Sequence, residues 1–147
     1  MIIKIPGNPT PQKRHRHAKR GSFVQVYDPC AEDKKIIKNI VIASLYVDGI
    51  IKSTQELPLF EAGVPISVSM HFDMAIPKSA TKAKLKGIAD GSIQHTAHVD
   101  LDNLVKKPLD ALNGVLYHDD SQIVQMTCHK RYSQIPQTNI EINRITC

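Results

Sequence analysis

One segment of the chain alternates apolar and polar residues more regularly than any other. Such a two-residue period predicts a β-strand with one apolar face, and Pro77 ends it. Because only one face is apolar, we expect helices to cover that side of a sheet. The apolar positions are Val64, Ile66, Val68, Met70, Phe72 and Met74, and Ser67, Ser69, His71 and Asp73 lie between them.

Three other segments have the spacing or the end signals of helices. Asp28 followed by Pro29 predicts the start of a first helix that ends near Gly49. A short basic helix is predicted after Ser79, closed by Gly87, and a second main helix from Asp102 to Gly114. The first helix is supported by the apolar residues Ile36, Ile37, Ile40, Val41 and Leu45, and the basic one carries Lys82, Lys84 and Lys86.

Shorter apolar runs complete the predicted elements. They indicate strands at residues 1–5, 23–27, 123–132 and 139–145, with irregular segments at 6–22, 49–63 and 87–99. The resulting order, β-β-α-β-α-α-β-β, predicts an α/β (α+β) fold: one mixed β-sheet with helices packed mainly on one face. A chain of 147 residues fits a single domain spanning 1–147.

The charge of the chain indicates a class of partner. The formal net charge is +5 and the pI is about 9.2, which suits a polyanion such as DNA.

No apolar run approaches the roughly 20 residues of a membrane span, and no signal peptide begins the sequence, so we expect a soluble cytoplasmic protein. The cysteines Cys30, Cys128 and Cys147 are too few and too scattered for a disulfide framework or a paired-cysteine zinc site. Residues 1–22 contain no acid, but they contain Lys4, Lys13, Arg14, Arg16, Lys19 and Arg20.

The acids of this basic chain are concentrated in one short stretch, with five of the fourteen between Asp100 and Asp120. Asp100 and Asp102 would point to one side of an extended segment, and Asp119-Asp120 returns after one helix and a turn. Carboxylates that converge repel one another unless a cation neutralises them, and hard oxygen ligands suit Mg²⁺ or Mn²⁺. Lys106 lies one helical turn after Asp102 and would face the same site.

Spacing alone also allows a purely structural role for these acids. Asp102 would then cap a helix, and Asp119-Asp120 would form a solvated turn. A calcium loop that starts at Asp100 is disfavoured, because Ala111 stands where a bidentate Glu belongs.

This acidic segment resembles the RusA family of Holliday junction resolvases. The matching elements are Asp100-Leu101-Asp102-Asn103-Leu104, Lys106, Asp110-Ala111-Leu112 and Asp119-Asp120-Ser121-Gln122-Ile123. The opening GNPTPQKRHRH and the run Ile76-Pro77-Lys78-Ser79 are similar to further family motifs, so nearly the whole chain is covered.

The resemblance implies a homodimeric, Mg²⁺-dependent nuclease that nicks opposing strands of a four-way DNA junction in recombination and repair. By position, it implies Asp100, Asp102 and Asp120 as catalytic metal ligands, Lys106 as an essential lysine, and Asp119 as a neighbour of open role. Two departures are Val99, where relatives often have Pro, and Pro108, which should kink or delay the helix. We expect DNA contacts from the basic loop 6–22, through Lys13, Arg14 and Arg16, and from Lys78 and Lys82.

Three other functions remain open at the level of sequence. A DNA-binding protein that does not cut is disfavoured, because all three acids and the lysine are present. A less selective nuclease for branched DNA differs only in its choice of substrate. A small-molecule phosphohydrolase is disfavoured by the basic N-terminal segment and by the lack of a Gly-rich phosphate loop.

Overall fold

The computed structural model describes residues 1–146; Cys147 and the side chain of Arg20 lie outside the described part. The strands and helices follow one another along the chain without a repeat. They are β1 (Ile2–Pro6), β2 (Arg16–Arg20), β3 (Phe23–Tyr27), α1 (Ala31–Val47), β4 (Ile66–Ala75), α2 (Lys82–Ala89), α3 (Leu101–Leu112), β5 (Ile123–Ser133) and β6 (Gln137–Arg144), with 3₁₀ turns at Thr54–Glu56 and Asp120–Gln122.

The main sheet has four strands in the order β1-β6-β4-β5. The central strand β4 pairs antiparallel with β6 and parallel with β5. Because parallel neighbours need a long crossover, the chain passes through α2 and α3 between β4 and β5. The mixed sheet with helices, predicted from the order of elements, is confirmed.

The core lies on the side of the sheet that carries the apolar alternation. Phe72 and Met70 of β4 are buried there with Leu45 of α1 and Leu104 and Leu112 of α3. On the same strand, Ser67, Ser69 and His71 remain partly exposed on the opposite side. The one-sided pattern of β4 therefore fixes which face of the sheet the helices cover.

The structure corrects the prediction that residues 6–22 are entirely irregular. Residues 16–20 form β2, which pairs with β3 in a separate two-stranded hairpin. The sequence RHAKR has no apolar alternation, so no period revealed the strand. Its partner β3 was predicted correctly, and the two-residue connection begins with Gly21 at φ 62, a conformation that glycine adopts without strain.

Two helix starts are also corrected. The helix α1 begins after Cys30 rather than at Asp28-Pro29, because the carboxylate of Asp28 accepts a hydrogen bond from the Cys30 backbone N–H (2.8 Å) in a turn before the helix. The helix α2 begins after Thr81, not Ser79, since the Thr81 hydroxyl accepts the Lys84 N–H.

Two residues expected to interrupt helices lie inside them. Gly87 is buried within α2, where a Cβ would come within 2.6 Å of Ile93 Cδ1, so it serves close packing rather than termination. The helix α3 continues through Pro108, which is itself buried. Within residues 1–146, the helices are all too short or too polar to cross a membrane.

Candidate active site

One face of α3 forms a wall of the candidate site. Asp102, Lys106 and Asp110 are spaced by four residues, so they share a face of the helix. All three line a groove of about 520 Å³, and Asp120 lines it too. The floor is apolar, built by Leu101, Val105 and Leu109 of α3 and by Met126 and Cys128 of β5. The groove is therefore lined by carboxylates from two separate stretches of the chain and by one lysine.

A capped turn brings Asp120 to this groove. The Asp119 carboxylate accepts the Ser121 backbone N–H (2.9 Å), and this caps the 3₁₀ turn Asp120–Gln122. The buried Gln122 accepts the N–H groups of His118 and Asp119, and its side-chain amide donates to the carbonyl oxygens of Glu61 and Val64. Asp119 and Gln122 thus hold the turn, and the Asp120 side chain stays exposed.

Asp100 lies at the N-terminus of α3 and is exposed. It is the N-cap residue, yet its side chain makes no capping hydrogen bond, which leaves both carboxylate oxygens free of that role. The prediction that Asp100 and Asp102 share an extended segment is wrong, because Asp102 belongs to the first helical turn. The residue before Asp100 is held by Lys130, whose Nζ donates to the Val99 carbonyl (2.5 Å).

The carboxylates of this site have the right chemistry for a metal ion, but they lie farther apart than metal ligands do. Asp100, Asp102 and Asp120 are exposed carboxylates of the kind that Mg²⁺ and Mn²⁺ prefer. Within residues 1–146, however, no three His, Cys, Asp or Glu side chains are grouped closely enough to hold a metal ion. The donor set fits, and closer approach of these like charges would need the charge of a cation.

A network of ion pairs adjoins the acidic groove through Asp110. Lys34 of α1 bridges Asp110 and Asp28, with both N···O distances at 2.7 Å. Burial, with the nearby negative charges of Asp120 and Asp110, raises the pKa of Tyr117 well above its usual range. The hydrogen bond from Lys34 lowers the pKa of Asp28 to about 2. Asp110 is therefore tied to a lysine, whereas Asp102 and Asp120 have no such partner among the described ion pairs.

A basic groove adjoins the acidic one. It has a volume of about 210 Å³ and is lined by Lys13, Arg14, His15 and, from α3, Asn103 and Lys106. The Gln12 backbone N–H donates to the Asn103 carbonyl (2.8 Å), and the Lys13 N–H donates to Cys30 Sγ (3.3 Å). Lys106 lines both grooves, so the basic segment adjoins the groove that holds the carboxylates.

The sequence was also compared with known proteins. The family model "Endodeoxyribonuclease RusA" matches residues 6–143. The chain belongs to the RusA endodeoxyribonuclease family. It is also 30% identical over 144 residues to "Uncharacterized protein YqaN" of Bacillus subtilis (strain 168), an alignment that covers 97% of this chain and 94% of that protein. The family resemblance read from the acidic segment is confirmed.

Most of the predicted site residues line the two adjoining grooves, but some of them lie outside both. Asp102, Lys106 and Asp120 line one groove, and Lys13 and Arg14 line the next. Asp100 precedes Asp102 at the helix start without lining either groove, and Arg16 begins β2. Lys78 and Lys82 are exposed around the start of α2, outside the lining of both grooves.

Three residues of the site had no role assigned from the sequence. Asp110 could have been found by its spacing, because it continues the four-residue step from Asp102 through Lys106. Gln122 stands inside the RusA motif, but only its burial explains the turn that it holds. Lys130 lies 30 residues after Asp100 in the chain, and no local pattern links the two.

Proposed function

We propose that this RusA-family protein resolves four-way DNA junctions by divalent-metal-dependent hydrolysis of phosphodiester bonds, in DNA recombination and repair. One observation carries the proposal: Asp102 of α3 and Asp120 of the turn before β5 line a single groove with Lys106, and Lys106 also lines the adjoining basic groove. Carboxylates that suit a divalent cation and side chains that suit a phosphate would thus lie side by side in one site.

Asp100, Asp102 and Asp120 are the proposed metal ligands, with Mg²⁺ as the cofactor and Mn²⁺ as a substitute. A divalent cation there would supply Lewis acidity and lower the pKa of a water molecule. The carboxylates orient that charge and do not themselves attack. Lys106 would balance negative charge that develops on the phosphate, an interaction that is strongest in a preformed site.

DNA binding is proposed for the basic segment 6–22 of a single endonuclease unit spanning 1–147. Lys13 and Arg14 lie beside Lys106 and would contact phosphates next to the cut, with Arg16 extending the contact. Lys78 and Lys82 would meet phosphates farther away, because they lie outside both grooves.

The protein is proposed to act as a homodimer in the cytoplasm of a bacterium or of a phage-infected cell. A four-way junction has two-fold symmetry, and a two-fold dimer would present equivalent sites to opposing strands. Sedimentation of the purified protein, alone and with a junction, measures this state directly.

The central test compares a synthetic four-way junction with a linear duplex of the same sequence, each in Mg²⁺ or in EDTA. We expect paired, symmetric nicks in the junction with Mg²⁺, and none with EDTA. Equal cutting of both DNAs would indicate a less selective nuclease. Junction binding without nicks in Mg²⁺ or Mn²⁺ would indicate a DNA-binding protein that does not cut.

The substitution Asp102→Asn tests the carboxylates themselves. It should lower the nicking rate about a hundredfold or more, because an oxygen ligand and its charge are weakened. Junction binding in EDTA should stay equal or become tighter, since a repulsive charge beside DNA is removed. Glu32→Gln, the same loss of charge on the exposed first turn of α1, is the matched control and should leave nicking unchanged. Full nicking by Asp102→Asn would overturn the assignment.

A further inference from the structure

The hairpin β2-β3 exposes apolar side chains that the core does not use. It forms its own two-stranded sheet, and all five residues of β3 are exposed. Phe23, at the tip, is 79% exposed, and Val24, Val26 and Tyr27 are also exposed. Contiguous exposed apolar residues of this kind mark an interaction site, and an isolated hairpin is marginally stable in water.

We propose that Phe23 and Tyr27 form a stacking surface for unpaired or unstacked DNA bases of the substrate cut in the acidic groove. The inference rests on the proposed function of that groove and specifies which part of the DNA the hairpin meets. It differs from the phosphate contacts of residues 6–22, because it assigns the aromatic side chains to the bases.

The strand register puts the two aromatic residues on one face. Tyr27 lies opposite Arg16, and Gln25 lies opposite Ala18. Since side chains alternate along a strand, Phe23, Gln25 and Tyr27 project together with Arg16. A cation beside aromatic rings is the combination that binds single-stranded nucleic acid, in which rings stack on bases and cations meet phosphates.

Charge favours DNA over another copy of the protein as the occupant of this face. Residues 1–27 contain no Asp or Glu, and the hairpin includes Arg16 and Lys19. The whole chain carries a net charge of +5, so two copies of the protein repel each other overall. Negatively charged DNA complements it.

Both ends of the hairpin are fixed beside the candidate active site. Residues 13–15, just before β2, line the basic groove with Lys106. Asp28, just after β3, accepts hydrogen bonds from Gln12 (3.1 Å) and from Lys34, which also binds Asp110 (2.7 Å). A five-residue strand is about 17 Å long, so DNA in the groove passes within reach of the tip.

Exposed base faces distinguish the expected DNA from an ordinary duplex. In a linear duplex, stacking covers the faces of the bases, and an aromatic ring meets only the backbone and the grooves. The exchange point of a four-way junction and single-stranded segments both offer bases with less covered faces. The hairpin would therefore contribute to the choice of branched DNA.

The chain contains no Trp, so one introduced Trp reports on the hairpin tip. In Phe23→Trp protein with Ca²⁺ in place of Mg²⁺, we expect a junction and a single-stranded oligonucleotide to quench the indole fluorescence, and a linear duplex to quench it far less. Ile135→Trp, at an exposed position after β5, is the matched control and should not respond. Phe23→Ala in the parent protein should weaken junction binding about tenfold without lowering Tm.

Each result decides the proposal. Junction binding seen by anisotropy with no quenching of Phe23→Trp would overturn it. A fluorescence change that depends on protein concentration without DNA, with altered sedimentation of Phe23→Ala, would assign the face to a second copy instead. If the parent protein neither binds nor nicks junctions, the proposed function fails, and the single-stranded oligonucleotide alone decides whether the stacking surface exists.

Discussion

At the scale of single residues, Asp119 and Asp120 are neighbours in the chain with different tasks. Hydrogen bonds from Ser121, first from its side chain and then from its backbone N–H, lower the pKa of Asp119. The Asp120 side chain lines the groove with Asp102. The paired acids of the RusA motif thus separate into one that shapes the turn and one that is available to a ligand.

We expect Asp119→Asn and Asp120→Asn to differ in activity rather than in folding. Asn is as good a cap as Asp, so Asp119→Asn should keep its Tm and most of the nicking activity. Asp120→Asn should also keep its Tm, but it should nick about a hundredfold or more slowly because a metal ligand is weakened. Thermal melts and single-turnover nicking at saturating Mg²⁺ measure both. Equal losses of activity in the two variants would contradict this division.

Lys130 is expected to position Asp100 through the backbone. Its Nζ donates to the carbonyl oxygens of Val99 and Ala97, at 2.5 and 3.3 Å. Lys130→Met should raise the Mg²⁺ concentration for half-maximal nicking about tenfold, as loss of an outer contact to a metal ligand does. Junction binding in EDTA should not change. Lys130→Arg should shift the Mg²⁺ concentration for half-maximal nicking only part of the way, because arginine can still donate to the carbonyl oxygens.

The control for Lys130 is Lys38→Met, which removes an exposed cation from α1. A lower Tm in Lys130→Met with an unchanged Mg²⁺ dependence would show that Lys130 serves stability alone.

At the scale of elements, a buried lysine joins α1, α3 and the loop after β1. Lys107 Nζ donates to Asp33 Oδ2 and Thr10 Oγ1, both at 2.7 Å. The Lys107 side chain is 3% exposed and that of Asp33 is 53% exposed. Removing one partner of a buried pair leaves the other charge without compensation, whereas an apolar replacement of the buried partner need not.

We therefore expect Asp33→Asn to be more destabilising than Lys107→Met. Asp33→Asn should lower the free energy of unfolding by about 1–3 kcal/mol, a range reduced from that of fully buried pairs because water screens the exposed carboxylate. Lys107→Met should lower it by less than half as much. Urea unfolding of both variants and of the double variant measures the difference, and the reverse order would refute the argument.

The elements that the sequence predicts well are those whose own residues carry the period. The strand β4 has its alternation, and the first main helix has its apolar spacing. The strand β2 shows no such pattern, because pairing with β3 defines it and the side chains described at residues 16–19 are exposed or half-buried. The boundary at Asp28 was wrong for a similar reason: a side-chain hydrogen bond to Cys30 delays the helix.

At the scale of the whole molecule, the site joins three distant parts of the chain. Residues 12–15, the start of α3 and the turn before β5 meet around Lys106. The motif spacing predicted that Asp100, Asp102 and Asp120 would converge; Asp102 and Asp120 line one groove, whereas Asp100 lies outside its lining. The spacing could not predict the place of residues 13–15, because the hydrogen bond from Gln12 to Asn103 that places this segment against α3 joins backbone atoms and leaves no mark in the residue types.

The separation of the basic residues leads to a prediction about salt. Each phosphate contact contributes about one unit to the slope of log K against log salt concentration. The double variant Lys13→Ala/Arg14→Ala should therefore reduce the slope for junction binding by about two units. Lys78→Ala/Lys82→Ala should reduce the slope similarly with a four-way junction but less with a short duplex. These lysines lie outside both grooves, so only a longer or branched DNA reaches them.

Lys35→Ala/Lys38→Ala on α1 is the control, with an equal loss of charge. If all three double variants lower the slope equally, the attraction is a property of net charge, and residues 13–14 have no special place in binding.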